Sequence, residues 1–139
     1  MTVVVLLVED NAADVLMLKE AISQAGLNYR LHHLPDGQDA LEHLDRLRFE
    51  AQAHPDLIIV DLNLPRVDGR ELFRRLCERP DLRGIPTVIL TTSSWDQEAG
   101  TLEGVKREAY FEKPSLFTGW VAVVQEIDAY RQELTRQFR

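Results

Sequence analysis

The chain reads as an α/β protein in which five parallel strands alternate with five helices that cover both faces of one sheet. Three observations predict this. The apolar runs Val3–Val8 and Leu57–Val60 are continuous. They lack the alternation of a half-exposed strand, so each must be covered on both sides, as strands of parallel sheets are. Between the β-rich runs lie segments whose apolar residues recur three and four apart, the helical period. The two patterns alternate from end to end, which is the order of a doubly wound sheet and leaves no tract for a second domain.

The elements follow in turn. Val3–Val8 is the first strand. Asn11 supplies a helix N-cap, with Asp14 three residues on as a weaker form of the capping-box acid. Val15, Leu18 and Ile22 share a face of that helix, and Gly26 ends it. Tyr29–Leu34 is the second strand, closed by the turn Pro35-Asp36-Gly37. Gln38–Arg48 is helical, with Ala40, Leu41, Leu44 and Leu47 inward, and Phe49–Pro55 is a connection. Leu57–Asp61 is the third strand and Arg70–Glu78 the third helix, with Leu72, Phe73 and Leu76 inward; Pro80 stops it. Thr87–Leu90 is the fourth strand, and Thr91 stands at its end. Ser94 and Gln97 read as a capping box for a fourth helix. Gly100 and Gly104 weaken it by roughly 1 kcal/mol each relative to Ala. Ala109–Phe111 is a short fifth strand. A long last helix starts at Ser115 and carries Leu116, Trp120, Val123, Val124, Ile127, Leu134 and Phe138.

Composition bounds the function. A length of 139 residues suits one domain, 1–139, which buries about two-thirds of its unfolded surface. A net charge of −7, from 16 basic and 23 acidic residues, argues against a nucleic-acid surface, which needs a basic patch. Cys77 is the only cysteine, so an internal disulfide is excluded. No leader-like segment precedes the first strand and no apolar run is long enough to span a bilayer, so no membrane partner and a cytoplasmic location are expected.

The chemistry lies where the strands end. Glu9-Asp10 follows the first strand, Asp61 closes the third, Thr91 ends the fourth, and Lys113-Pro114 follows the fifth. Parallel strands bring their C-terminal ends together, at the mouth where α/β sheets bind ligands. A single acid there would be unremarkable. Several within a few ångströms repel, and without a cation at least one has its pKa raised. A hard divalent ion such as Mg²⁺ relieves this, and nothing in the His or Cys spacing suits zinc. The Thr91 hydroxyl and the Lys113 ammonium complete a minimal phosphoryl-transfer set around a carboxylate nucleophile. An X-Pro bond is cis at a cost of only about 0.5–1 kcal/mol, and a cis Lys113-Pro114 bond would turn the lysine into the site.

The motifs Glu9-Asp10-Asn11, Asp61-Leu62-Asn63-Leu64-Pro65, Asp68-Gly69, Thr91 and Lys113-Pro114 together resemble those of response-regulator receiver domains, the CheY-like fold of two-component signalling. The resemblance covers essentially the whole chain. It implies the strand order 2-1-3-4-5 and a phosphoryl group passed from a histidine kinase to Asp61. It further implies Mg²⁺ held by Glu9, Asp10, Asp61 and the backbone carbonyl of Asn63, with Thr91 and Lys113 on the phosphoryl oxygens. Tyr110 matches the family's switch aromatic, and Pro65, Gly69 and Pro114 its turn positions. Val8–Asp14, Asp61–Pro65 and Leu90–Ser94 are similar to single-domain regulators that partner phytochrome-type histidine kinases. Two departures stand out: Lys106-Arg107 replaces a common Gly-Ala before the fifth strand, and Thr92 is bulkier than the usual small residue.

Two rival readings are weaker. A phosphohydrolase of the haloacid-dehalogenase type carries a second Asp two residues after its nucleophile, where this chain has Asn63, which cannot transfer a proton that way. A docking block that works without phosphorylation would not need the complete acid, Thr and Lys set. Two contact surfaces are expected. Leu16 lies opposite the buried stripe of the first helix, and in this family that helix meets the kinase. Tyr130, Leu134 and Phe138 recur at i, i+4 and i+8 past the point where the sheet should cover them, so they are expected to form a homodimer. The downstream partner is a protein whose identity the residues do not specify. His32-His33, on opposite faces of a strand, are structural. His43 and His54 have no ligand-spaced companion, Cys77 reads as a packing residue, and Trp95 and Trp120 as core or interface.

Overall fold

The computed structural model describes residues 1–137; Phe138 and Arg139 lie outside the described residues. Five parallel strands, β1 (Val3–Val8), β2 (Tyr29–Leu34), β3 (Leu57–Val60), β4 (Thr87–Thr91) and β5 (Tyr110–Glu112), form one sheet in the order β2-β1-β3-β4-β5. All four pairings are parallel, with Val5 opposite Leu57 and Leu31, and Ile89 opposite Tyr110. The helices are α1 (Ala12–Gln24), α2 (Gly37–Arg46), α3 (Gly69–Cys77), α4 (Trp95–Glu98) and α5 (Phe117–Gln137).

The period of two along each strand divides the core. Leu6, Val8, Ile58, Val60 and Ile89 face α2 and α3, where they meet Leu41, Leu44, Leu72 and Phe73. Val5, Leu7, Leu57, Ile59, Val88 and Leu90 face α1 and α5, where they meet Val15, Leu18, Trp120, Val124 and Ile127. Each such side chain contributes about 1.5–3 kcal/mol on full burial. Continuous apolar strands were therefore required: no position on β3 faces solvent.

Local signals set the helix ends. Asn11 Oδ1 accepts from the Asp14 N–H at 3.1 Å, but the Asp14 side chain does not return the bond as a capping-box acid would; it is used elsewhere. Gly26 takes φ +71°, the left-handed geometry that ends α1. The Ser94–Gln97 capping box forms as expected, yet α4 is a single turn. The chain then runs through turns, with Gly104 at φ +83°, until Leu102 and Val105 rejoin the core. At the other end, α5 starts two residues later than expected. The Leu116 carbonyl accepts from the Gly119 and Trp120 N–H groups, so its side chain precedes the buried stripe and is exposed.

Other side-chain expectations change. Tyr130 does not overhang the sheet: it packs, half-buried, against the α1/α5 side of the core, because the two-layer contact runs further along α5 than the strand lengths suggested. Leu134 is half-exposed. Cys77 is exposed and not a packing residue. His32 and His43 pack edge to face with centroids 4.4 Å apart, a pairing across β2 and α2 that sequence spacing does not reveal.

Candidate functional site

Residues from four strand ends and the start of α1 converge at the C-terminal edge of the sheet. Glu9 and Asp61 are buried, 3% and 5% exposed, and Asp10 stands exposed beside them. One carboxylate oxygen from each of the three lies within 4.8 Å of the other two. Hard oxygen donors from the ends of two strands, β1 and β3, suit a divalent cation. Lys113 Nζ lies 2.6 Å from Glu9 Oε1, 2.7 Å from Asp14 Oδ2 and 2.9 Å from Asp61 Oδ2.

Backbone bonds aim these groups. The Asp61 N–H donates to the Val8 carbonyl at 3.0 Å, continuing the β1–β3 ladder one residue past the strand. Asp61 Oδ1 accepts from the Asn63 N–H at 3.3 Å, and Glu9 Oε2 from the Asn11 N–H at 3.2 Å. A Cβ at Gly69 would fall on the Asp61 carbonyl oxygen and Leu62 Cα; only glycine lets α3 begin this close to Asp61. Pro65 and Gly69 bracket a turn whose strained position is Arg66 at φ +63°. Its guanidinium bonds Asp36 and Asp39, ties that hold the turn against a left-handed cost of roughly 1–2 kcal/mol.

The expected cis bond at Pro114 is not found; among the described residues every peptide is trans. The lysine needs no such bond, because its N–H donates to the Thr91 carbonyl at 2.7 Å. That bond carries β5 past its last pairing and directs the side chain inward with the favoured trans geometry.

The electrostatics follow from burial and this ammonium. Desolvation pushes the Glu9 carboxyl up, with Asp61 adding to it and Lys113 opposing, to about 7. Asp61 is also raised by desolvation, but Lys113, Thr91 and Glu9 together outweigh this and hold it below the ordinary range. Burial alone would lower the Lys113 ammonium; Asp14, Glu9 and Asp61 together raise it. One carboxyl thus stays near neutrality while Asp61 is fully ionised. Thr91 is completely buried. Its hydroxyl is close enough to help keep Asp61 charged, yet meets hydrogen-bond distance and angle with no partner among the described residues. The hydroxyl is therefore unpaired among the described residues. A buried unpaired hydroxyl costs about 1–3 kcal/mol, so it favours any ligand oxygen placed beside Asp61.

Tyr110 points inward, its hydroxyl donating to the Ser93 carbonyl at 2.6 Å. Trp95 packs against its ring at 5.3 Å. Arg107 lies over the Trp95 ring at 5.6 Å and donates to the Tyr110 carbonyl. The unusual Lys106-Arg107 pair therefore adds a cation to the aromatic stack behind the site. Thr92 is exposed. Leu16 is 58% exposed on α1, two residues from Asp14, and Leu116 and Phe117 expose apolar surface at the start of α5. Sequence reasoning missed two contributors. His33 Nε2 bonds the Glu9 carbonyl at 2.6 Å, and Asp14 holds Lys113; neither contact has a signal in the sequence spacing.

Comparison with known proteins agrees with the geometry. Residues 5–125 match the family model described as the response regulator receiver domain. The chain is 34% identical over 127 residues to a probable methanogenesis regulatory protein, FilR2, of Methanothrix harundinacea, covering 91% of this chain and 82% of that one. It is 34% identical over 128 residues to response regulator Rcp1 of Synechocystis sp., covering 91% and 87%. Its structure resembles the phosphorylated cyanobacterial phytochrome response regulator RcpA, with a TM-score of 0.80 and 30% identity over 95% of each chain. It also resembles the Mn²⁺-bound form of Rcp1, with a TM-score of 0.77 and 33% identity over 92% and 93%.

Proposed function

Because the chain belongs to the response regulator receiver domain family, we propose that it is a stand-alone regulator in which Asp61 accepts a phosphoryl group from a histidine kinase. The observation that carries this reading is Asp61 itself: ionised, 2.9 Å from Lys113 Nζ, inside the acidic cluster and near the unpaired Thr91 hydroxyl. An Asp61 carboxylate oxygen forms the new O–P bond as the N–P bond of a phosphohistidine breaks, its electron pair returning to the imidazole. Lys113 and Thr91 donate to the phosphoryl oxygens, filling the orphan bond of Thr91. Glu9, Asp10, Asp61 and the Asn63 backbone carbonyl hold Mg²⁺, which when bound neutralises charge on those oxygens. Mg²⁺ is the ion of choice for carboxylates plus phosphate oxygens, and the Mn²⁺-bound Rcp1 supports a divalent cation there.

The relatives named as phytochrome response regulators support a phytochrome-type kinase as donor. Leu16, exposed on the helix that carries Asp14, is a docking contact for it. The output is a change in binding to a partner protein through the Tyr110–Trp95–Arg107 surface, so the chain assists its own phosphorylation without being a dedicated enzyme. Leu134 and Tyr130 border a cleft of about 350 Å³ shared with Phe73, Leu76 and Cys77. That apolar border supports a homodimer packed on the end of α5; Phe138 falls outside the described residues. Among these residues no helix is long and apolar enough to cross a membrane, and with a single cysteine the chain suits the cytoplasm.

Asp61→Asn tests the reading. The variant keeps size and strand-end bonds but loses the nucleophile, so it should fold normally and take up no acid-labile phosphate from acetyl phosphate or a kinase. Uptake equal to wild type would move the acceptor elsewhere.

A further inference from the structure

The Lys113 ammonium meets three carboxylates: it donates to Asp14 at 2.7 Å and Asp61 at 2.9 Å and pairs with Glu9 at 2.6 Å. The three acids are not equivalent. Glu9 and Asp61 belong to the cluster of converging carboxylate oxygens, and Asp14 does not. Asp14 comes from the first turn of α1, where the Asn11 cap fixes its backbone, and its side chain is 24% exposed against 5–6% for the other two.

That difference matters when the site is loaded. A cation on Glu9 and Asp61 draws on the same two carboxylates that hold the lysine, and a phosphoryl group on Asp61 changes one of them. Only Asp14 is left with no other task. Lysine carries a point charge on a flexible four-carbon stem, so without an anchor its ammonium would be spread over several rotamers when it is needed. On the reading that Asp61 accepts the phosphoryl group, we infer that Asp14 is a positioning residue: it anchors Lys113 from α1 and keeps the ammonium aimed at Asp61 once metal and phosphoryl engage the other two acids. It also ties the helix bearing Leu16 directly to the lysine.

A double-mutant cycle on the full chain tests this, with acetyl phosphate as donor, saturating Mg²⁺ and Trp fluorescence as readout. Asp14→Asn keeps the shape and removes the charge. It should lower the phosphorylation rate constant by about tenfold through misplacement of the lysine, while leaving the melting temperature close to wild type. Asp14→Glu should restore most of the rate. In a Lys113→Ala background Asp14→Asn should have no further effect, because the group it positions is gone. Asp14→Asn should also weaken Mg²⁺ binding to the unphosphorylated protein less than Asp10→Asn does. An equal rate loss with and without Lys113 would overturn the inference, as would a loss of Mg²⁺ affinity matching that of Asp10→Asn, which would make Asp14 part of the metal shell. Asp61→Asn run alongside separates the two readings: phosphorylation of that variant defeats the Asp61 assignment, whereas additive effects of Asp14 and Lys113 defeat only the positioning role.

Discussion

Glu9→Gln should flatten the pH dependence of stability in the metal-free protein. The Glu9 carboxyl is buried, and desolvation, with help from Asp61, raises it from 4.5 to about 7. Between those values the native protein keeps a proton that the unfolded chain has released. Stability therefore falls as pH rises from about 4.5 to about 7, and stays low above. The gap corresponds to about 3 kcal/mol. For a chain of 139 residues an unfolding entropy of about 2.1 cal/mol/K per residue converts this to roughly 10 °C in Tm. Other groups titrate nearby but do not confuse the comparison. His43, lowered by burial and by His32 and Arg46, stabilises as pH rises through 6.5, the opposite sign, and does so in both proteins. Asp61 is lowered, so its contribution is lost only below 3.8. Thermal melts by circular dichroism in EDTA at pH 5 and pH 8 decide the matter. Wild type should lose roughly 10 °C more than the Gln variant between the two pH values, and excess Mg²⁺ should abolish that extra loss, since the cation holds Glu9 ionised. Parallel pH profiles for the two proteins in EDTA would show that Glu9 is not the strained acid.

Two further outcomes concern the surfaces. Leu16→Glu should slow phosphorylation by the kinase by about tenfold, the scale of one lost apolar anchor, while acetyl phosphate labels it at the wild-type rate; equal loss with both donors would indicate a folding defect instead of a docking contact. Leu134→Glu should convert a dimer to a monomer in light scattering at micromolar concentration while the monomer keeps its native circular dichroism, since Leu134 is half-exposed and, unlike Tyr130, is not packed against the core. A wild-type chain that is already monomeric there removes the dimer reading.

What could be read from the sequence is what depends on short-range pattern. Continuous apolar runs had to be doubly covered strands, so their ends, and with them Glu9, Asp10, Asp61, Thr91 and Lys113, could be placed on one edge of the sheet before any coordinates. What could not be read depends on where a side chain goes after it leaves its element. Asp14 has the spacing of a capping acid, and its turn toward Lys113, 99 residues away, leaves no trace in that spacing. Asp128 sits in the middle of an apolar helical stripe and looks like an interruption. In the structure it is buried because Tyr29, Arg131 and Gln132 satisfy its oxygens, a match of groups from two distant elements. The length of α4 and the reach of Tyr130 failed for a related reason, since one-turn helices and helix ends are decided by what packs beside them.

The strands carry this site, and α1 adjusts it. Glu9, Asp61, Thr91 and Lys113 are held at strand ends by ladder bonds that no single side-chain change breaks. Asp14 belongs to a helix that begins after a loop capped by one asparagine. A kinase pressing on Leu16 would act on the same first turns of α1 that hold Asp14, and through its carboxylate on the ammonium beside Asp61. The acid cluster can then stay fixed at the strand ends while the ammonium beside Asp61 is held from the helix that a partner would touch. That division leaves the chemistry with the most buried groups and its adjustment with a helix whose outer face, at Leu16, is exposed.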